Sequence, residues 1–462
     1  MTIGLFNNTN AGFRGIENVY EELQNYFDLK TASYSCIRQW VLRLGYGLLT
    51  CEVERRTDWI YIIDFSIQLG TERCLLILGV PQESLEQNGY ELKHHQVTIL
   101  DIYVQEHFNG EAVCQRITVA QNRTGTPYQI ISDNGADVKK GITLFCDQNK
   151  PIIQTYDVTH MIGICIKHSL AEDERWLDLQ FDLNNFPQKI NQTELSFLSP
   201  PTLSKKARWM NIKQEIDWLD KIYRYEQKAD FKLICKGFKV KNHEMVFEKI
   251  KSICCKNRFE ERRLAKKIRE TIFESEENIS KFLLTCGLSE MKDVIIIDAG
   301  QLRFEEKFEF IKKHKQFFYE LQQLNNMAEA IKVLIRGKGL SMNSLQEMEL
   351  VYEKTTVGWV KNVFNDINNR LQNEHAKCGI EKKAILCSSE IIESIFGKFK
   401  MKAKQSVGGI YETVLSIVLF CTELTDDLVR KILTSTKMAD VENWFREMAG
   451  VSNLAKRRIA FS

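Results

Sequence analysis

Short apolar runs separated by polar and glycine-containing segments occupy residues 59–156 and predict a sheet. A short link containing Gly70 joins the first two runs, which indicates an antiparallel pair. Helical patterns lie between and after the later runs, one of them near Glu111–Gln121. The predicted strands are Trp59–Ser66, Arg73–Val80, Val97–Tyr103, Tyr128–Ile131 and Ile152–Tyr156. The pattern therefore predicts an α/β fold with a mixed sheet flanked by helices.

Two helical patterns precede the sheet. The first covers Ile16–Phe27, and the second begins at a serine near residue 33 and ends at Gly45. Two short helices joined by a tight turn are typical of a helix-turn-helix that binds DNA, and this hypothesis covers residues 1–50. The alternative is a helical hairpin whose polar residues are only solvated. The side chains that would face DNA are Arg38, Gln39 and Arg43.

The segment after the sheet, residues 173–380, is helical nearly throughout. Its clearest helical patterns are Ile212–Gln227, Glu260–Glu277, Glu305–Asn325 and Leu345–Asn373. A β-like apolar patch at residues 294–298 is the exception, and its assignment stays open. Beyond residue 405, two further helices resemble packing or dimerisation elements, and they cover Tyr411–Cys421 and Asp426–Ala449.

Composition indicates a folded protein of more than one domain. The hydrophobic fraction of 44% is that of a globular protein, and a chain of 462 residues is too long to fold around one compact core. The net charge is only +2, so affinity for nucleic acid would depend on local basic patches. The 13 cysteines form no repeated Cys-x-x-Cys pairs, and without a secretory signal we expect reduced, intracellular thiols. The apolar stretch Val414–Cys421 is too short to span a bilayer, so we expect no membrane association.

Asp64 interrupts an otherwise apolar strand. A buried, unpaired carboxylate costs several kcal/mol, and a nearby cation avoids that cost. The cation could be a lysine or arginine, or it could be a divalent metal shared with Asp133, which follows the strand that begins at Tyr128. Carboxylate oxygens suit Mg²⁺ or Mn²⁺ rather than zinc.

Asp64, together with Asp133 in its Ser-Asp-Asn-Gly strand end, resembles the first two acids of DDE transposases and retroviral-type integrases. The segment Gly12–Gly15 and its helical pair are similar to the end-binding domain of bacterial insertion-sequence transposases. This resemblance covers about the first 170 residues and resumes near residue 384. It implies a ribonuclease-H-like fold interrupted by a helical insertion, as in hAT-type transposases. The implied domains are a catalytic part at 56–172, an insertion at 173–380, a last catalytic helix at 381–405 and a helical region at 406–462.

The third acid of such a triad should lie on the helix predicted over residues 384–400. Ile391, Ile395 and Phe399 define its apolar face. On that helix Glu390 points away from the apolar face, whereas Glu393 lies nearer its edge. A metal ligand should sit at the edge of the core, so we predict Glu393, and the Glu-x-x-Phe arrangement of hAT-type transposases agrees. The alternative is two solvated glutamates.

The segment Asp157–His160 resembles the Cys/Asp-x-x-His motif that hAT-type transposases carry after the second acid. His160 would then hold a phosphate or orient the scissile strand. It could equally be a packed polar residue.

Two basic clusters are candidates for contact with DNA phosphates. Lys205, Lys206 and Arg208 form a cluster without interleaved acids. Four alternating lysines, Lys398, Lys400, Lys402 and Lys404, follow the third acid and would form a basic edge beside it.

The resemblance implies a DNA transposase with two Mg²⁺ or Mn²⁺ ions per active site. Asp64 would bridge both ions, while Asp133 and Glu393 would each bind one. The partners would be the terminal repeats of the element and target DNA, bound by a homodimer or higher oligomer, and the location would be the cytoplasm, with the bacterial nucleoid. Two alternatives stay open: a domesticated DNA-binding protein without catalysis, and a structure-specific nuclease of the same fold.

Overall fold

The fold was analysed in a computed structural model of the 462-residue chain. The structure describes residues 2–65, 72–149, 151–193, 195–201, 209, 212–226, 304, 306–378, 384–403, 413–449, 457 and 460–461. The chain forms two compact units. Unit 1 comprises Met1–Ile162, Glu329–Lys354 and Phe364–Ser462, and unit 2 comprises Gly163–Ala328 and Thr355–Val363. The predicted helix 260–277, the patch 294–298, Lys404 and the cluster of Lys205, Lys206 and Arg208 lie outside the described residues.

Unit 1 is built on a five-stranded mixed sheet in the order β3-β2-β1-β4-β5. The antiparallel pairing of β1 with β2, predicted from their short link, is confirmed, and β2 pairs antiparallel with β3. β1 pairs parallel with β4, and β4 with β5. The strands are β1 Trp59–Phe65, β2 Arg73–Pro81, β3 Thr98–Gln105, β4 Gln129–Ser132 and β5 Ile153–Tyr156. The predicted α/β class with a mixed sheet is confirmed.

Helices cover both faces of this sheet. The helices lying wholly in unit 1 are α1 Thr2–Asn8, α2 Phe13–Gln24, α3 Tyr34–Thr50, α4 Gln82–Asn88, α5 Gly110–Thr124, α6 Ala136–Gln148, α11 Met342–Lys354, α13 Glu390–Ala403, α14 Ser416–Phe420, α15 Asp426–Ser435 and α16 Met438–Ala449. A 3₁₀ turn, His94–Gln96, precedes β3. Three helices have residues in both units, and they are α7 Val158–Leu170, α10 Lys315–Lys338 and α12 Gly358–Ala376.

Alternation along the strands assigns each face its own core. The front face carries Ile60, Ile62 and Ile131, which pack in one cluster with residues of α1–α3 and of α13–α15. The back face carries Tyr61 and Ile130, which pack with α5 and α6. The front face therefore receives both the beginning and the end of the chain.

The N-terminal helices differ from the predicted helix-turn-helix. Residues 25–33 separate α2 from α3, whereas that motif uses a turn of about 3–4 residues. α3 continues past Gly45 to Thr50 and buries Ile37, Val41 and Leu44 in the front core. A helix that is apolar on several sides packs inside a domain. Residues 2–50 thus belong to unit 1, and the helix-turn-helix is not confirmed.

Two predicted helices in the C-terminal half are each divided. The predicted helix 345–373 breaks into α11 and α12 at Thr355–Val357, where the Thr356 and Val357 amides donate to the side chain of Gln323 at 3.0 and 3.2 Å. The predicted helix 426–449 breaks into α15 and α16 around Thr436, whose backbone is extended.

Unit 2 consists of helices around an aromatic core. It includes α8 Glu174–Ile190, α9 Ile212–Glu226 and the 3₁₀ segments Ser196–Leu198 and Glu309–His314. Phe186 of α8 packs against Trp218 of α9 and against Phe308, with ring centroids 6.2 and 4.5 Å away. In the part of the chain that the structure describes, no helix is both long and apolar enough to cross a bilayer.

Candidate functional site

Asp64 and Asp133 lie side by side at the ends of two neighbouring parallel strands. The register of β1 and β4 pairs Ile63 with Ser132, so the two aspartates are the next pair along. Adjacent strands are separated by about 4.8 Å. Asp64 is two residues after Ile62 in β1, so alternation places it on the front face. Asp133 directly follows β4, and it lies close enough to Asp64 for its charge to raise the pKa of Asp64.

The Ser-Asp-Asn-Gly segment is a tight turn that fixes the carboxylate of Asp133. Asn134 has a φ of 57°, in the left-handed region that asparagine tolerates. The amide of Gly135 donates to Asp133 Oδ1 at 2.9 Å, which is Asx-turn geometry. A Cβ on Gly135 would lie 3.3 Å from that same oxygen, so glycine lets the backbone approach the carboxylate. The turn that was predicted from the sequence therefore also holds the carboxylate of Asp133 in place.

Glu393 is on α13, whose apolar side chains Ile391, Ile395 and Phe399 pack into the front core as predicted. The prediction that Glu390 faces solvent is wrong. The side chain of Glu390 is 32% exposed and forms an ion pair with Arg336, whereas that of Glu393 is 50% exposed. Arg336 belongs to α10, and helix geometry within α13 alone could not include it.

His160 contacts the candidate third acid directly. It lies in the first turn of α7, and its Nε2 is 3.3 Å from Glu393 Oε1. Burial lowers the pKa of His160, but the hydrogen bond to Glu393 and the charges of Asp157 and Asp133 outweigh burial and raise it to about 9. The same hydrogen bond is the main reason that the pKa of Glu393 is lowered. At neutral pH this is a charged pair of imidazolium and carboxylate.

Asp64 is partly buried, and its charge is strongly disfavoured. Burial, and after it the charge of Asp133, raise the pKa of Asp64 from 3.8 to about 7. The Phe65 amide, which donates to Asp64 Oδ1 at 2.6 Å, and the charge of His160 act in the opposite direction. Glu393 also raises this pKa.

The oxygens of Asp64, Asp133 and Glu393 do not all lie within 4.8 Å of one another, although all three residues are described. In a two-ion site the ions are about 3.5–4 Å apart, so the acids that bind different ions need not lie within 4.8 Å of one another. The donor set consists of carboxylates alone, which fits Mg²⁺ or Mn²⁺. The raised pKa of Asp64 fits the same interpretation, because a cation at this position would favour the charged carboxylate.

Two lysines of α13 that were predicted to contact DNA have different surroundings. Lys400 is half-buried, and its pKa is lowered by burial, against the charges of Glu393 and Asp64. Within the described residues, Lys400 forms no hydrogen bond or ion pair. Lys398 instead donates to Asn7 Oδ1 at 3.4 Å and lies 4.6 Å from the ring centroid of Phe420. Lys400 is thus one cation beside the acids, and Lys398 contacts Asn7 and Phe420 instead.

Sequence reasoning missed Lys332 and Arg336, which lie one turn apart on α10 in unit 1. Lys332 is 9% exposed, and its charge contributes to the lowered pKa of Glu393. Its ammonium also pairs with Glu329 at 3.0 Å. No local signal separates these cations from other helical lysines and arginines, because their partners come from a distant part of the chain.

The residues predicted to read DNA on the second N-terminal helix are only partly accessible. Gln39 is exposed, and Arg38 is half-buried. Arg43 donates to the carbonyls of Thr436, at 2.8 Å, and of Leu433, both at the end of α15. Arg43 therefore stabilises a helix C-terminus within unit 1.

A separate group in unit 2 could also hold a metal ion. The ligand atoms of Asp178, Asp182 and His314 all lie within 4.8 Å of one another. Lys313 already pairs with both aspartates, at 3.0 and 2.7 Å, and His314 Nε2 is 2.8 Å from Asp182. Lys313 thus supplies one positive charge beside the two aspartates.

No family model matches the chain, and no curated protein matches it. Among solved structures, the chain is similar to one described as "Drosophila P element transposase strand transfer complex". The identity is 11% and the TM-score 0.36, and the match covers 94% of this chain and 90% of that chain. The assignment of the candidate site therefore depends on the positions and contacts of its own residues and not on this similarity.

Proposed function

We propose that this protein is a DNA transposase of the DDE type that cleaves the ends of a mobile element and joins them to target DNA. The observation that carries the proposal is the pairing of Asp64 and Asp133 at the ends of adjacent parallel strands, on the face where α13 packs. Glu393 is the proposed third acid, because its charge acts on Asp64 and because Glu390 pairs with Arg336. The five-stranded mixed sheet agrees with the ribonuclease-H-like fold that the sequence resemblance implies.

Asp64, Asp133 and Glu393 are the residues that would hold two Mg²⁺ or Mn²⁺ ions. When bound, such ions activate water and stabilise the attacking and leaving oxygens of a phosphodiester. The residues of the chain supply the rest. Strand ends fix the two aspartates, and His160 holds the carboxylate of Glu393 at 3.3 Å.

Lys400 would bind a DNA phosphate oxygen beside the acids, since it is a half-buried cation near both Asp64 and Glu393. A phosphodiester brings negative charge to an already acidic site, and a nearby ammonium offsets part of that repulsion. His160 would contribute a second positive charge on the same side. Lys205, Lys206 and Arg208 stay predicted DNA contacts, as do Arg38, Gln39 and Lys398.

A structure-specific nuclease of the same fold is the second candidate function. The observation that favours it is the engagement of Arg43 with the end of α15, which removes one of the expected base-reading side chains. A nuclease would need the acids but no sequence-specific helix. Binding to element ends, assembly as a dimer or larger oligomer and association with the bacterial nucleoid are further expectations of the transposase proposal.

The deciding experiment incubates the purified full-length chain with Mg²⁺ and with duplexes that tile the DNA flanking its own coding sequence. A transposase cleaves at discrete positions in one or both flanks and joins the resulting 3′-hydroxyl ends to a supercoiled plasmid. A nuclease cuts branched or single-stranded DNA without regard to the flanking sequence and gives no joined product. Absence of any metal-dependent cleavage would contradict both candidates.

A further inference from the structure

Asp157 is a buried carboxylate outside the proposed acid triad. It follows β5, and its amide donates to the carbonyl of Ser132, at 3.1 Å, beside Asp133. The residue is only 1% exposed. A carboxylate that buried requires several hydrogen bonds to offset the loss of hydration.

The two oxygens of Asp157 bind the starts of two different helices. Oδ1 accepts a hydrogen bond from the amide of His160, in the first turn of α7, at 2.9 Å. Oδ2 accepts hydrogen bonds from the amide and the hydroxyl of Ser389, the residue before α13, at 2.7 and 2.9 Å. The amide of Val158 also donates to the carbonyl of Cys387 at 2.8 Å. One side chain therefore ties together helix starts that are separated by 232 positions in sequence.

Each of these helix starts carries one member of the His160–Glu393 pair. Glu393 lies in the first turn of α13, one turn beyond Ser389. A first turn whose amides are bonded to a buried carboxylate has little freedom to fray. The amide of Asp157 also donates to the carbonyl of Ser132, the last residue of β4. Asp157 therefore connects both helix starts to the strand that directly precedes Asp133.

We propose that Asp157 is a positioning residue, which sets the location of Glu393 and His160 relative to the two strand-end aspartates without touching substrate itself. The inference rests on the proposed function for its catalytic meaning. Misplacement of a reacting group by about 1 Å can lower a rate about 100-fold, so a fixed first turn of α13 matters for cleavage.

The test compares Asp157→Asn with Ser389→Ala and with the control Ser388→Ala. Asparagine keeps the size of the side chain but offers one acceptor oxygen, so one of the two helix starts faces an NH₂ group. Ser389→Ala removes the hydroxyl bond and keeps the amide bond. Ser388 is a neighbouring buried serine, 6% exposed, that makes no hydrogen bond to Asp157 among the described residues.

The first measurement is hydrogen exchange of the full-length variants, which requires no DNA. Asp157→Asn should speed exchange by about 10- to 100-fold in the first turn of α7 or of α13, whichever faces the NH₂ group, as expected for a lost hydrogen bond to a charged group. Ser389→Ala should speed exchange by about 2- to 10-fold in α13 only. The control should leave both helix starts unchanged. Unchanged protection at both helix starts in Asp157→Asn would overturn the inference.

The second measurement is Mg²⁺-dependent cleavage of the flanking DNA, with DNA affinity measured in parallel. Asp157→Asn should lower the cleavage rate about 10- to 100-fold and leave the Kd for DNA unchanged. Ser389→Ala should lower the rate less, and Ser388→Ala should match wild type. A variant that loses protection but cleaves at the wild-type rate would overturn the positioning role. If wild type itself does not cleave while exchange behaves as expected, the proposed function fails and the tie between the helix starts stands.

Discussion

Replacing Asp64 by asparagine should stabilise the protein while it removes cleavage. Without a metal, Asp64 is the acid whose charge is least favourable, because burial and Asp133 raise its pKa from 3.8 to about 7. A raised pKa means that the folded protein binds a proton more tightly than the unfolded chain between those two pH values. A difference of about three pH units corresponds to about 4 kcal/mol, which is the upper limit of the cost of ionising Asp64 in the folded state.

The sign of this effect gives the prediction its pH window. Well below pH 4, Asp64 is protonated in both states, and the carboxyl carries no charge to penalise. As the pH rises towards 7, the wild-type protein loses this stability, and above pH 7 the full cost is present. Asp64→Asn removes a group that can ionise, so its advantage over wild type should be close to zero at pH 4 and reach about 2–4 kcal/mol at pH 8.

Hydrogen exchange of the amides in β1 and β4 measures this difference, since those strands form the centre of the sheet. The measurement is made in EDTA at two pH values, with exchange rates corrected for their intrinsic pH dependence. Asp28→Asn is the matched control, because Asp28 is exposed in the segment between α2 and α3 and should change stability by less than about 0.5 kcal/mol. Addition of Mg²⁺ should stabilise wild type and leave Asp64→Asn unchanged.

Two results would refute this reasoning. Equal stability of Asp64→Asn and wild type at pH 8 would mean that the folded protein does not penalise the charge of Asp64. An equal gain at pH 4 and pH 8 would mean that the substitution acts by packing and not by charge.

Three further predictions concern individual cations and the rival glutamate. In a salt titration of DNA binding, Lys400→Ala should lower the slope of log Kd against log salt by about 1. Lys398→Ala should keep the wild-type slope, because the ammonium of Lys398 already contacts an asparagine and an aromatic ring. Equal slopes for the two variants would contradict this assignment. Lys402→Met should lower stability by about 2–4 kcal/mol, because Lys402 is only 2% exposed and its ammonium donates to three backbone carbonyls of the N-terminal segment that would lose their donor. An unchanged denaturation midpoint would disprove this prediction. Glu390→Gln should weaken the ion pair with Arg336 and keep most of the cleavage activity, so an inactive variant with wild-type stability would show that the wrong glutamate was chosen.

The sheet and the two aspartates could be predicted because the signals are local. Each strand is a continuous apolar run, and each acid directly follows or ends such a run, as Asp64 and Asp133 do. The turn after Ser132 is likewise specified by Asn134 and Gly135, whose conformational tolerance is a property of the residues themselves. Nothing distant is needed for these features.

The surroundings of Glu390 and the role of the N-terminal helices could not be predicted in the same way. Arg336 is 54 positions from Glu390, and the wheel of one helix contains no information about it. For α3, the signal was present but was interpreted differently. Ile37, Val41, Leu42 and Leu44 form one broad apolar face of about 160°, which favours burial over an exposed recognition surface.

The central claim is that Asp64, Asp133 and Glu393 form one metal-dependent site, and one set of cleavage assays tests it most directly. The assays use DNA that flanks the coding sequence, with Mg²⁺ or with EDTA, and the variants Asp64→Asn, Asp133→Asn, Glu393→Gln and Glu390→Gln. Wild type and Glu390→Gln should cleave in Mg²⁺ alone, while the other three variants should bind DNA normally and give no product, since each lacks one ligand of the site. An active Glu393→Gln protein beside an inactive but folded Glu390→Gln protein would contradict the claim.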